Sequence, residues 1–247
     1  MKKWYAVIVL AFAQFVMVLD STVMNVSIMT VVKDLGTTVN SMQSAIAFYT
    51  LTMAALMLIG AKLAARWGLL KAFAVGAIIY GIGSTITAVS QNFDQLFIGW
   101  SVIEGVGAVL VIPAIAALVA TNYQGKDRVT AYAIIGGISG AAAAAGPLIG
   151  GFMTTYLSWR YVFAFEVVIM IGVILASKPL KTLPANKSIK VDFWSAVLSS
   201  TGLVMLVFAF LQSKTWGWIE PLNIPEINGH QIAPLGISIV IYLILIA

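Results

Sequence analysis

Gly136-Gly137-Ile138-Ser139-Gly140-Ala141-Ala142-Ala143-Ala144-Ala145-Gly146-Pro147-Leu148-Ile149-Gly150-Gly151 carries no charge and almost no side-chain bulk, in a chain otherwise dense in Phe, Ile and Met. In water, such a helix has nothing bulky to bury. In lipid the same smoothness lets neighbouring backbones approach and collect dispersion contacts. Gly136 and Gly140, and again Gly146 and Gly150, stand four residues apart, so each pair puts a flat patch on one helix face. Pro147 removes one ladder hydrogen bond and predicts a bend. The stretch therefore predicts a membrane helix packed on several sides.

Composition points the same way. Of the 247 residues, 61% are hydrophobic and 9% charged, and the mean hydropathy is +1.00. A soluble domain has about 25% charged residues, so this chain could not clothe its own surface in water. Its apolar runs reach the roughly 20 residues a helix needs to cross hydrocarbon. Barrel strands are shorter and alternate strictly, so the expected class is an all-α polytopic membrane protein. With no cysteine and one histidine, His230, the chain has no disulfide framework, and no metal site is expected. No Ser-His-Asp set or phosphate-cradling loop is visible. That excludes a self-contained ATP-driven pump, and no enzyme activity and no cofactor are expected. Met1-Lys2-Lys3 before an apolar run imitates a signal peptide, but the run is too long for one and more spans follow.

Eight spans are expected, at 4–31, 44–61, 71–90, 95–120, 129–153, 160–177, 193–212 and 233–247. The last stops with no polar tail, as though the chain had been cut. A cytoplasmic N-terminus puts Lys2, Lys3, Lys62, Arg66, Lys71, Lys126, Arg128, Lys178, Lys181, Lys187 and Lys190 inside, and only Lys33, Arg160 and Lys214 outside. Cytoplasmic loops carry the excess of basic residues, so this bias predicts a multi-pass protein of the cell membrane. The net charge of +5 then reports topology and contact with anionic headgroups, not a nucleic-acid partner. Trp4, Trp67, Trp100, Trp159, Trp194, Trp216 and Trp218 fall near span ends, where interfacial anchors belong. Residues 1–177 make a six-helix bundle, 178–192 a Lys-rich cytoplasmic connector, and 193–247 two more helices.

Three carboxylates lie within spans: Asp20, Glu104 and Glu166. A carboxylate at that depth is expensive unless it faces protein or water. Asp20, placed about two-thirds along the first helix, reads as a proton-responsive group or as a side chain that locks packing to a neighbour. Gly105 and Gly107 beside Glu104 let another helix come close or leave room for substrate. With no basic partner at comparable depth, the three suggest an acidic cavity suited to protons or cationic cargo. Asn25, Gln43, Tyr49, Ser101 and Tyr132 are candidates to line it, or they satisfy one another between helices.

Together these residues resemble the major facilitator superfamily, in particular its fourteen-span drug:proton antiporter branch. Leu19-Asp20-Ser21-Thr22-Val23-Met24-Asn25-Val26 resembles the branch's first-helix motif, and Gly146-Pro147-Leu148-Ile149-Gly150-Gly151 its fifth-helix antiporter motif. Trp159-Arg160-Tyr161-Val162-Phe163 looks like the opening of the sixth helix, and Asp192-Phe193-Trp194 with Trp216-Gly217-Trp218 like the extra seventh. The loop Gly60-Ala61-Lys62-Leu63-Ala64-Ala65-Arg66-Trp67-Gly68 is similar to the family's gating loop. Ala65 replaces its Asp, and Leu69 and Leu70 replace its basic residues. In the fourth helix Ser101 aligns with an Arg associated with proton coupling, and Glu104 with a Gln.

The resemblance implies proton-coupled export of small hydrophobic, cationic compounds. Asp20, Glu104 and Glu166 would couple protons; Arg66, Gly68, Gly146, Pro147, Gly150, Gly151 and Arg160 would serve gating and helix packing. It also implies a second six-helix bundle, because alternating access is two halves rocking about a central site. The expected partners are therefore the lipid bilayer, protons, substrate, and a second copy or a separate second-half polypeptide. A non-transporting half acting as assembly partner or scaffold, and an exporter of a lipid or metabolite, are the other functions this pattern fits.

Overall fold

A computed structural model describes residues 3–189, 192–222, 226–227, 230–231 and 236–247, without the side chains of Phe193, Glu226, Ile227, His230 and Gln231. Lys2, Lys190 and the His230 side chain therefore lie outside the described part. Eight helices follow one another: α1 (Tyr5–Leu35), α2 (Val39–Trp67), α3 (Leu69–Val89), α4 (Phe93–Asn122), α5 (Gly125–Tyr156), α6 (Arg160–Ser177), α7 (Phe193–Trp216) and α8 (Ile239–Ile246). Glu226–Ile227 and His230–Gln231 form one short antiparallel pairing. Within α4, Phe97–Glu104 winds as a π-helix.

The helices outrun the apolar runs that predict them. A helix leaving hydrocarbon continues until its free backbone groups find partners. Thr38 accepts from the Ser41 N–H at 3.1 Å, Asn92 from Gln95 at 3.0 Å and Asp192 from Ser195 at 2.8 Å, opening α2, α4 and α7. Gly36, at φ 60°, closes α1 in the left-handed conformation that glycine adopts without strain. At φ 94°, Gly68 turns the chain from α2 directly into α3.

Seven of these helices are long and apolar enough to cross a membrane among the described residues. Of the expected eighth span, residues 233–235 lie outside the described part, and Ile239–Ile246 is helical.

The bundle is built around α1 and α4, which bury the most residues. α5 and α6 lie against α1, α3 packs between α4 and α6, and α2 meets α4 and carries α7 on its outer side. Ser200 fixes that last contact by donating to the Ala55 carbonyl at 2.6 Å. Two larger apolar clusters fill the interior, beside a small one of Leu19, Val23 and Val162. Of the larger two, one holds Leu10, Phe73, Tyr80, Ile115 and Leu118; the other holds Met24, Met42, Leu96, Trp100 and Phe163.

The smooth stretch on α5 behaves differently along its length. Gly146 and Gly150 sit against Thr22 and Val23 of α1, so close that a Cβ on Gly146 would clash with Thr22. Gly136, Gly137, Gly140 and Gly151 meet nothing within 4 Å. The expectation of packing on several sides is thus corrected: among the described residues the stretch packs along one face, through Ser139, Ala142, Gly146 and Gly150, because α1 is the one long helix laid along α5. α5 also continues through Pro147.

Replacing Gly146 by Leu should force α1 and α5 apart and destabilise the fold by about 1–3 kcal/mol, the usual cost of overpacking. Gly137→Leu, into open space, should cost far less. Unfolding midpoints in detergent would check this, and equal losses at the two positions would contradict the packing described.

Candidate functional site

The three intramembrane carboxylates converge. Asp20 comes from the middle of α1 (not two-thirds along it), Glu104 from the last residue of the π-helical segment and Glu166 from α6. One oxygen of each lies within 4.8 Å of the others, and all three side chains are buried. The site falls where the two apolar clusters meet. Asp20 lies between Met17 and Met24, Glu104 between Trp100 and Ala108, and Glu166 between Phe163 and Met170, each pair divided between the clusters. The expected open acidic cavity is a packed node instead.

Neighbours satisfy only part of it. Trp100 Nε1 donates to Asp20 Oδ1 at 2.7 Å, and Tyr80 and Ser84 hydroxyls donate to Glu166 Oε2, each at 3.4 Å. Asp20 Oδ2, Glu166 Oε1 and both oxygens of Glu104 have no hydrogen-bond partner among the described residues. In a medium that neither solvates nor screens them, three adjacent carboxylates cannot all be ionised. Protons shared among their oxygens are the simplest way to neutralise them.

Local sequence explains how they meet. Gly83 of α3 lies against Glu104, where a Cβ would come within 2.6 Å of the Glu104 nitrogen, and Gly107 lies on the Tyr80 backbone. Tyr49 of α2 stacks on Trp100, with centroids 4.9 Å apart and planes 3° from parallel. Ser101 donates to the Ala45 carbonyl at 2.9 Å. Extended π-winding is rare and is frequent at functional sites; here it carries Trp100, Ser101 and Glu104 together.

The other predicted residues divide. Tyr49 and Ser101 flank the node. Asn25 is exposed and donates to the Ser21 carbonyl at 2.7 Å, Gln43 is exposed, and Tyr132 donates to the Ala116 carbonyl at 2.9 Å. These three do not join it. Arg66 is exposed beside the Gly68 turn, while Gly146 and Gly150 hold α1 against α5; Gly151 and Pro147 make no such contact that the site needs.

Arg160 belongs to a second cluster at one end of the bundle. It pairs with Asp34 of α1 and donates through Nη2 to the Ser90 carbonyl at 2.6 Å. Trp159 Nε1 also reaches Asp34 Oδ2, at 3.0 Å. One clasp thus ties the ends of α1, α3 and α6. Two tryptophans are consequently not interfacial anchors: Trp100 and Trp159 are both buried. Sequence reasoning missed Trp100, Tyr80, Ser84 and Asp34. Trp100 carried one available signal, being four residues before an intramembrane glutamate.

A multi-pass helical membrane protein with an uncompensated acidic node between helices is the class that fold and site define. The chain belongs to the major facilitator superfamily, whose profile matches residues 10–246. It is 32% identical to the puromycin resistance protein pur8 of Streptomyces alboniger over 90% of this chain and 44% of that protein. To the methylenomycin A resistance protein of Bacillus subtilis it is 29% identical, over 87% of this chain and 46% of that one. Among solved structures, the peptide transporter POT in complex with sulfate matches with a TM-score of 0.64 and 17% identity over 86% of this chain and 47% of that one, a likeness of fold. The chain spans less than half the length of these relatives. Membership sets it in a family of transporters, not of enzymes.

Trp100→Phe should keep the stack on Tyr49 but leave Asp20 without its donor, destabilising the fold by about 1–3 kcal/mol, the cost of an unsatisfied buried acceptor. Trp218→Phe, beyond the end of α7, should change little. An unfolding midpoint in detergent unmoved by Trp100→Phe would remove Trp100 from the node.

Proposed function

We propose that this chain is the first bundle, with its following helix, of a secondary active exporter that drives hydrophobic, cationic compounds outward with protons moving in. The observation carrying this reading is the Asp20–Glu104–Glu166 node, buried with four oxygens unpartnered and with no Lys, Arg or His facing it among the described residues. A group of that kind changes energy steeply when it gains or loses a proton, which is what coupling requires. Each proton crossing 100 mV supplies about 2.3 kcal/mol. The two relatives are named for resistance to puromycin and to methylenomycin A, which supports export as the direction.

On this reading 1–177 is the transporter bundle, 178–192 the cytoplasmic connector and 193–247 the following membrane segment, in the cell membrane with the N-terminus cytoplasmic. The charge distribution supports that orientation. Lys3, Lys62, Arg66, Lys71, Lys126, Arg128, Lys178, Lys181 and Lys187 share one end of the bundle, whose parts are joined by a Lys3–Asp127 ion pair at 2.9 Å and by Asn122 to Lys181. A second-half polypeptide or a second copy would cover the exposed apolar faces of α2 and α5, on which Phe48, Leu58, Leu148 and Phe152 stand. The uncharged Ala65, Leu69 and Leu70 favour a second reading, a half that assembles without gating transport.

The test is co-reconstitution with the polypeptide that supplies the second bundle, or as the chain's own dimer if light scattering gives a two-fold particle, followed by uptake of a lipophilic cation under an imposed proton gradient. Gradient-driven accumulation should fall at least tenfold in Asp20→Asn and Glu104→Gln, while binding of the cation persists. Wild-type accumulation in both variants across pH would eliminate the node's role. No accumulation by the intact assembly would leave the second reading.

A further inference from the structure

α3 and α6 leave a groove on the outside of the bundle. Ile78, Gly81 and Ile82 of α3 face Val167, Ile171 and Ile174 of α6 across a cleft of about 220 Å³. Ile78, Ile82 and Ile171 are each about half exposed, and a Cβ on Gly81 would meet nothing within 4 Å. Ile174 also belongs to a second cleft, of about 490 Å³, that opens at the end of the two helices. Trp67, Lys71, Ala74, Lys178 and Leu183 line that cleft with it, so the two spaces adjoin at Ile174.

The two parts differ in chemistry as a lipid does. The groove is apolar apart from Thr85, and neither cleft is lined by an acidic side chain. Lys71 and Lys178 stand at the mouth, exposed and without an ion pair among the described residues. Trp67 beside them is the kind of residue that settles at headgroup level. From Lys71 to Thr85 the helix rises about 21 Å, enough to pass the roughly 15 Å of hydrocarbon in one leaflet. The connector roofs the mouth at a fixed height: Thr182 Oγ1 accepts from the Leu70 N–H at 3.2 Å, and Asn186 donates to the Ala65 carbonyl at 3.1 Å.

We propose that these two adjoining clefts are together a binding site for one anionic glycerophospholipid, its phosphate between Lys71 and Lys178 and one acyl chain along the α3–α6 groove. Two lysines at a membrane surface each add to the attraction for an anionic headgroup. A zwitterionic lipid of the same chain length would gain only the groove. This site rests on the chain's place in a membrane and not on the proposed transport, so it stands or falls separately.

Native mass spectrometry of the 247-residue chain from detergent, titrated with phosphatidylglycerol or phosphatidylcholine of matched chains, tests it. The wild type should retain one phosphatidylglycerol under activation that strips phosphatidylcholine. Lys71→Gln with Lys178→Gln should weaken phosphatidylglycerol retention about tenfold. Gly81→Trp, which fills the groove without touching a charge, should weaken retention of both lipids. Equal retention of the two lipids by the wild type would overturn the proposal. So would phosphatidylglycerol retention unchanged in the double lysine variant. Unfolding midpoints in lipid-free detergent should match the wild type for all variants, and the wild-type comparison decides the matter even where one fails to fold.

Discussion

Hydrocarbon offers a carboxylate neither water nor counter-ion, and every charged oxygen there must be answered by protein or by a proton. This chain places three carboxylates under that constraint at one point. The rotations of three helices follow from it. Once Asp20 faces inward, Val16, Met24 and Val23 are buried with it. Glu104 and Glu166 do the same for α4 and α6, whose buried residues flank them on the same face. The two apolar clusters then seal the node from both ends. Closure of this kind makes any charge at the node expensive, because charge in a low dielectric is costly to leave unpaired.

Such convergence needs backbones that come closer than ordinary side chains allow. Gly83 admits Glu104, Gly107 admits the Tyr80 backbone, and Gly76 admits Leu110. Each glycine removes a Cβ where one would stand within 3 Å of its neighbour. Without a hydrophobic drive between helices in lipid, close contact of this kind is the main source of association. The packing glycines and the acidic node are therefore one arrangement: the first sets the spacing that the second requires.

Much of this was legible in the sequence. Seven spans, the depth of the three carboxylates and the tight fit at Gly146 and Gly150 follow from composition and spacing alone. The meeting of Asp20, Glu104 and Glu166 does not, because helix rotation is set by partners far away in the chain. Nor does the π-winding at Phe97–Glu104, which no apolar periodicity announces. Trp100 and Trp159 mislead for a related reason. An indole near a span end suits the interface and equally suits a buried donor, and only the position of Asp20 or Asp34 decides between them. The stretch Gly136–Gly140 reads as packed, yet among the described residues its three glycines meet nothing within 4 Å, and Ser139 is joined to α1 through Gln14.

The two ends of the bundle are held by different means. At the Asp34 end, a guanidinium, a carboxylate and an indole converge on one point, and Arg160 reaches the end of α3 as well. Such a clasp is directional and fixes three helices at once. At the other end the α2–α3 turn carries Ala65, Leu69 and Leu70 and has no charged partner in reach of them. It is held through backbone groups by the connector, with Leu70 on Thr182 and Ala65 on Asn186. Bonds of that kind stabilise by about 1 kcal/mol each and depend on the connector lying in place. Displacing the α2–α3 turn therefore means breaking its bonds to the connector, whereas at the Asp34 end three helices share one clasp.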